Sequence, residues 1–285
     1  MPLAALLLVL SSALIHASWN ALAKRANDKF SFIWLAFVIN ALWQLPYVIW
    51  CFSQGLLTTA AWPWYLATTL AHSGYIWLLS ESYRLGDYSL AYPISRGLGV
   101  ALVPLGGWLL LHEQLSQGGA AGVGLVIAGI LFTGLASSLG QGRPGPAAIL
   151  AACGTGVCVA AYNLIDKQAM LATGIAPLPW ISMMMVSQSL VLLPLALQRR
   201  EALRSELRSN LRSVLACAFG TFGGYLLVLY AFRMAATAYV VASRESSIVF
   251  SVLIGFLLLG ERQFKRRLSG ALAIVAGVLL IALFG

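Results

Sequence analysis

Two arginines in this chain stand where a bilayer would have to hold them: Arg96 and Arg244 both fall inside long apolar runs. An Arg at bilayer depth costs about 2.5–3.5 kcal/mol even on permissive insertion scales, so each must face a wet cavity or a partner. The guanidinium fork matches carboxylate or phosphate, and two such groups on one cavity would suit an anionic ligand. The other role open to them is structural, as staples to Glu245, Glu81 or free carbonyls. Ser243, Ser247 and Ser251 follow at helical spacing around Arg244, and Tyr92, Ser95 and Gly99 form the corresponding stripe around Arg96. These hydroxyls can bind substrate or bond their own helix backbone. Pro93 frees a carbonyl as in broken transporter helices, although proline in a first helical turn is also ordinary.

Further polar residues sit in the same apolar context. Asn20 and Asn163 can contact substrate or bond across helices. His16 lies four residues before Asn20, on the same helix face; it can move protons near neutral pH or serve as a helix contact. Glu81 and Glu245 are the acids placed deepest in the spans, able to carry a proton or to neutralise Arg96 or Arg244. Glu113 and Glu261 follow Leu runs at helix ends and read as topology or loop contacts. The sequence has no nucleophile elbow, no glycine loop cradling phosphate before a Lys, and no His/Cys metal spacing. The expectation is a protein that is not an enzyme and uses no cofactor or metal. Cys51, Cys153, Cys158 and Cys217 lie in or beside apolar spans and read as small buried groups rather than a disulfide framework.

The elements that hold these residues follow from composition. Of 285 residues, 60% are hydrophobic and 9% charged, against roughly 25% charged in soluble domains. The apolar runs are continuous, without the alternation of a membrane barrel, so the fold class is all-α and integral to the membrane. Ten spans are expected, near 3–23, 31–53, 63–83, 88–111, 117–138, 147–166, 178–198, 213–232, 237–259 and 267–284. The first follows Met1-Pro2 without a basic flank, and is expected to be retained rather than cleaved as a signal. Gly140-Gln141-Gly142-Arg143-Pro144-Gly145-Pro146 breaks any helix and divides the chain into 1–140 and 146–285.

The two parts repeat. Ser95-Arg96 and Ser243-Arg244 are 148 residues apart, as are Glu113 and Glu261, Gly122 and Gly270, and Gly129 and Gly277. Asn20-Ala21-Leu22-Ala23-Lys24 matches Asn163-Leu164-Ile165-Asp166-Lys167 at an offset of 143. Five spans per copy is an odd number, so copies in series insert with opposite orientation. The predicted architecture is ten transmembrane helices in two inverted five-helix repeats, with a binding site where they meet.

Net charge is +9, but most of it lies between spans, which argues for topology and against nucleic acid. Fourteen basic residues fall on one side, including Lys24, Arg25, Arg84, Arg143, the cluster Arg199, Arg200, Arg204, Arg208 and Arg212, and Arg262 to Arg267; Lys167 and Arg233 fall on the other. The heavy side is expected to be cytoplasmic, with both termini outside.

The Leu run ending in His112-Glu113, its partner Leu257-Leu258-Leu259-Gly260-Glu261, and the glycine-rich span after each resemble the EamA-type repeat of the drug/metabolite transporter superfamily. The opening His16-Ala17-Ser18-Trp19-Asn20 and the stretch Glu81-Ser82-Tyr83-Arg84-Leu85-Gly86-Asp87 are similar to one bacterial subgroup. His112 departs from the Gly-Glu usual there. The resemblance implies a ten-helix secondary transporter of the bacterial inner membrane, often an exporter of amino acids, drugs or other metabolites. Many relatives have cytoplasmic termini; the loop charges here point the other way. The reading is an exporter of an amino acid or organic anion by alternating access, with a proton as a candidate coupling ion and a homodimer as a candidate assembly. A lipid-phosphate flippase and an intramembrane enzyme are the alternatives.

Overall fold

The computed structural model describes residues 1–23, 25–85, 88–138, 145–259 and 264–285, with side-chain surroundings for all of these except 83, 88–93, 135–138, 255–259 and 264–267. The Tyr92 side chain, Lys24, Gly260-Glu261 and most of the 140–146 seam lie outside the described set. Among the described residues the structure is helical throughout: α1 Leu3–Ala23, α2 Lys29–Ser53, α3 Trp62–Leu85, α4 Tyr88–Leu111, α5 Gln117–Ser138, α6 Pro146–Thr173, α7 Pro177–Val191, α8 Leu193–Leu197, α9 Arg200–Ser209, α10 Leu211–Phe232, α11 Thr237–Arg244, α12 Ser246–Leu259 and α13 Phe264–Phe284, with one 3-10 turn at Thr59–Ala61. Seven of these stretches are long and apolar enough to cross a membrane by length and composition.

Three features depart from the expected spans. The stretch 178–198 is broken at Leu192 into α7 and α8, where Pro194 withholds an amide from the helix ladder. The stretch 237–259 is broken at Glu245 into α11 and α12. The expected loop after residue 198 contains a helix, α9. Its sequence is amphipathic: Arg200, Arg204 and Arg208 recur at four-residue steps and are exposed, while Glu206 turns inward and is fully buried.

Packing between the parts is reciprocal. α6 packs along α3 and α4, while α1 packs along α10, α11 and α12. α2 meets α7, and α5 meets α13 in the most extensive contact of all. Glycines set that last approach. A Cβ on Gly122 would lie 2.7 Å from the Gly277 carbonyl oxygen, and one on Gly129 would lie 2.7 Å from that of Gly270. Gly122 therefore touches the repeat mate of Gly129, and Gly129 the repeat mate of Gly122. That exchange is what a two-fold axis passing between α5 and α13 produces. Close backbone approach through small residues gives the packing contact that apolar burial cannot give in lipid.

The two ends of the bundle differ. At one, the Met1 ammonium bonds the Gly285 carbonyl, and the Tyr239 hydroxyl accepts from the Ser116 amide at 2.8 Å. Here the Glu113 carboxylate accepts from the Thr237 amide at 2.9 Å and the Thr237 hydroxyl at 2.8 Å, and pairs with the Lys167 ammonium. It thus caps α11 from the opposite half of the chain. The turn that aims Glu113 passes through His112 at φ +53°, a left-handed conformation suited to glycine, which is why a Gly-Glu pair belongs there. We call this the termini end. At the other, the Arg199 end, Arg199 bonds Asp28 at 3.1 Å, and Glu206 accepts from the Asp28 amide at 2.8 Å and from the Asn210 amide group at 2.7 Å.

Candidate functional site

A cavity of about 680 Å³ runs from the Arg199 end into the middle of the bundle. Asp28, Lys29, Arg84 and Arg199 line its mouth. Helix α1 supplies His16, Trp19 and Asn20, α4 supplies Arg96, and α11 supplies Arg244. His72 on α3, Tyr162 on α6 and Tyr225 on α10 form its floor. The His72 ring stacks on Tyr162 at 4.0 Å between centroids, and Tyr225 meets both edge-on.

The sequence-related arginines converge here, with one imidazole between them. Arg96 Nη2 lies 3.3 Å from His16 Nε2, and Arg244 Nη2 lies 3.5 Å from His16 Nδ1. A guanidinium can only donate, and a neutral imidazole has a single acceptor nitrogen, so His16 satisfies one arginine at a time. Glu245, at the break between α11 and α12, pairs with Arg96 at 3.6 Å. Among the described residues, its second oxygen is buried without a hydrogen-bond partner, as is Arg244 Nε. The Arg244 guanidinium also lies 5.6 Å from the centroid of the Tyr225 ring. Among the described residues, the charged groups at and just behind the inner end of the cavity are two arginines, Arg96 and Arg244, and two carboxylates, Glu245 beside Arg96 and Asp166 behind the floor.

The other expected site residues are distributed differently. Glu81 is not deep: it sits at the mouth, part-exposed and bridged to Arg84. Asn20 and Asn163 each bond the carbonyl four residues earlier, at 3.0 Å to His16 and 2.7 Å to Val159, which is one motif in two copies. Neither amide nitrogen reaches across to another helix in these bonds. Asn20 lines the cavity; Asn163 is buried, with its side-chain oxygen unpartnered among the described residues. Ser95, Ser243 and Ser247 are buried and do not line the cavity, whereas Ser251 does. Gly99 serves packing, because a Cβ there would lie 2.8 Å from Val159 of α6.

The residues that sequence reasoning passed over form a second polar cluster behind the floor. Asp166 is fully buried on α6. It accepts hydrogen bonds from the Thr68 and Tyr225 hydroxyls and from Trp180 Nε1 at 3.2 Å, and lies 3.3 Å from His72 Nε2. Its place beside Lys167 at the end of an apolar run reads as a span boundary. Only the tertiary structure shows that Lys167 turns to Glu113 while Asp166 turns inward.

The EamA-like transporter family matches residues 3–135 and 146–283. Spermidine export protein MdtI of Escherichia coli O81 (strain ED1a) is 32% identical over 122 residues, which are 43% of this chain and 94% of that protein. Multidrug transporter EmrE of Escherichia coli (strain K12) is 30% identical over 86 residues, 30% of this chain and 76% of that one. A solved crystal structure at 16% identity superposes with a TM-score of 0.73, over 99% of this chain and 98% of its own, a likeness of fold. With almost its whole length matched, and with seven helical stretches long and apolar enough to cross a membrane, the chain belongs to the EamA-like transporter family and is a multi-pass protein of the plasma membrane.

Proposed function

We propose that the protein is a secondary transporter of a small organic anion bearing a carboxylate or phosphonate. The observation that carries this reading is the convergence of the Arg96 and Arg244 guanidiniums at the inner end of the cavity. Two similar proteins are named as a spermidine exporter and a multidrug transporter. Spermidine is a polycation, and two guanidiniums at the deep end of a cavity repel it. The cargo therefore differs from that relative's, while the transport role fits the family. The ten-crossing inverted repeat over 1–140 and 146–285 is supported by the reciprocal packing and the exchanged glycine contacts, if α7–α8 and α11–α12 each count as one broken crossing. Broken helices beside a midplane site are a common transporter device. By the loop-charge argument the Arg199 end is cytoplasmic, so the cavity in this conformation opens inward.

The test is a thermal-shift screen of purified protein against amino acids, organic acids, phosphonates and spermidine. A ligand at 100 times its Kd adds about 2.7 kcal/mol to the native state. Carboxylates or phosphonates should raise Tm and spermidine should not. Arg96→Lys and Arg244→Lys keep the charge but lose the fork, and each should weaken the responding anion about 10- to 100-fold. Stabilisation by spermidine alone, or unchanged anion affinity in both variants, refutes the assignment.

A further inference from the structure

Four arginines at the Arg199 end are exposed and have no ion-pair partner among the described residues: Arg200, Arg204 and Arg208 on α9, and Arg212 in the first turn of α10. Arg199, beside them, is committed to Asp28 and lies 4.8 Å over the Phe30 ring. The acids of the segment leave the stripe largely cationic, because Glu206 is turned inward and Glu201 stands alone on the exposed side.

The rotation of α9 is fixed from within. Glu206 is fully buried and accepts from the Asp28 amide at 2.8 Å and the Asn210 side-chain amide at 2.7 Å. At 3.6 residues per turn, Ala202 shares that inner face. Next round the helix come Leu203, packed partly against the core, and Leu207, 42% exposed. Arg200, Arg204 and Arg208 follow, and Glu201, Ser205 and Ser209 make up the exposed remainder. Leucines, then arginines, then serines is the order of a helix at a membrane interface, with apolar residues toward the acyl chains and cations at the headgroups. The neighbours place α9 at that level. α8 ends in exposed Leu195 and Leu197, and α10, long and apolar enough to cross a membrane, begins at exposed Leu211 beside Arg212.

We propose that α9, with the first turn of α10, is a binding site for the phosphodiester headgroup of an anionic phospholipid. Guanidinium forks match phosphate oxygens. Leu207 and Leu211 beside them meet the adjoining acyl chain, which a soluble phosphate lacks. The site reaches the transport cavity through one residue. Arg199 and Glu206 both clasp Asp28, which caps α2 and lines the cavity mouth, so a lipid held on α9 braces that mouth.

The test uses full-length protein in neutral detergent micelles. Tm is followed as phosphatidylglycerol, phosphatidylcholine of the same acyl chains, or glycerol 3-phosphate is added. Phosphatidylglycerol should raise Tm, because a ligand of the native state stabilises it, and phosphatidylcholine should raise it less. The triple variant Arg200→Gln, Arg204→Gln, Arg208→Gln changes only exposed side chains. It should need about 100-fold more phosphatidylglycerol for the same shift, at about fivefold for each arginine. Glu206→Ala keeps every arginine but releases the face that orients α9, and should weaken the response as well. If Glu206→Ala does not fold, the triple variant decides alone. Equal shifts from the two lipids, or a wild-type response in the triple variant or in folded Glu206→Ala, overturns the proposal. A glycerol 3-phosphate shift that is lost in the triple variant also overturns it, since the arginines would then serve free phosphate. These substitutions leave Arg96 and Arg244 intact, so anion binding in the cavity persists in the triple variant and cannot imitate the loss.

Discussion

Glu113 holds the start of the helix that ends at Arg244, and the strength of that hold can be measured. α11 begins at Thr237, where the Glu113 carboxylate takes the amide and hydroxyl, and ends at Arg244, seven residues or roughly 10 Å away. Glu113 and Lys167 are only 10% and 11% exposed, and the Lys167 ammonium has one further acceptor, the Ala235 carbonyl at 2.8 Å. Glu113→Gln keeps an acceptor for Thr237 but strands the ammonium, at a cost of about 2 kcal/mol, in the range for a lost hydrogen bond to a charged group. Glu113→Ala also uncaps α11, adding about 1 kcal/mol. Lys167→Met in the Glu113→Gln background removes the stranded charge, so the double variant should recover about 1–2 kcal/mol relative to the sum of the single ones. Reversible unfolding in mixed detergent micelles, followed by tryptophan fluorescence, gives all four corners of the cycle. Additivity within about 0.5 kcal/mol would show that the ion pair does not hold α11, and the argument from Glu113 to Arg244 would fall.

Three further outcomes are expected. Gly129→Val should cost about 1–3 kcal/mol by forcing α5 off α13, because its Cβ would meet the Gly270 carbonyl; unchanged unfolding would contradict that contact. His112→Gly should raise stability by about 1 kcal/mol by relieving the left-handed backbone, and a loss instead would mean that the His112 side chain matters more than its φ. A cysteine at the exposed Ser209, in a background lacking the native four, should resist an impermeant thiol reagent in intact cells; ready labelling would place the Arg199 end outside.

Much of the fold was open to reading because lipid leaves the chain few choices. A span must be an apolar helix, so its presence is visible as composition, and the repeat is visible as the 148-residue register of Arg96 with Arg244 and Gly122 with Gly270. Breaks inside spans are harder to read: nothing in the run Ser243-Arg244-Glu245-Ser246 announces a discontinuity, since the local sequence is compatible with a continuous helix. α9 was hidden for the opposite reason. Its density of arginines speaks for a loop on composition, and its helical period matters only once Glu206 has an inner face to bury against.

The sequence by itself determined the membrane class, the family and the two arginines whose cost in lipid demands an explanation. Tertiary structure decided which polar residues share a space. Asn163 and Ser243 carry the same helical periodicity as cavity residues and yet are buried away from the cavity, because the rotation of a helix about its axis is set by packing against its neighbours. His16 stands between arginines that lie 80 and 228 positions away, and Asp166 is held by Thr68, His72, Trp180 and Tyr225 from three other helices. Such contacts are set by how helices lie side by side, which no local spacing along the chain records.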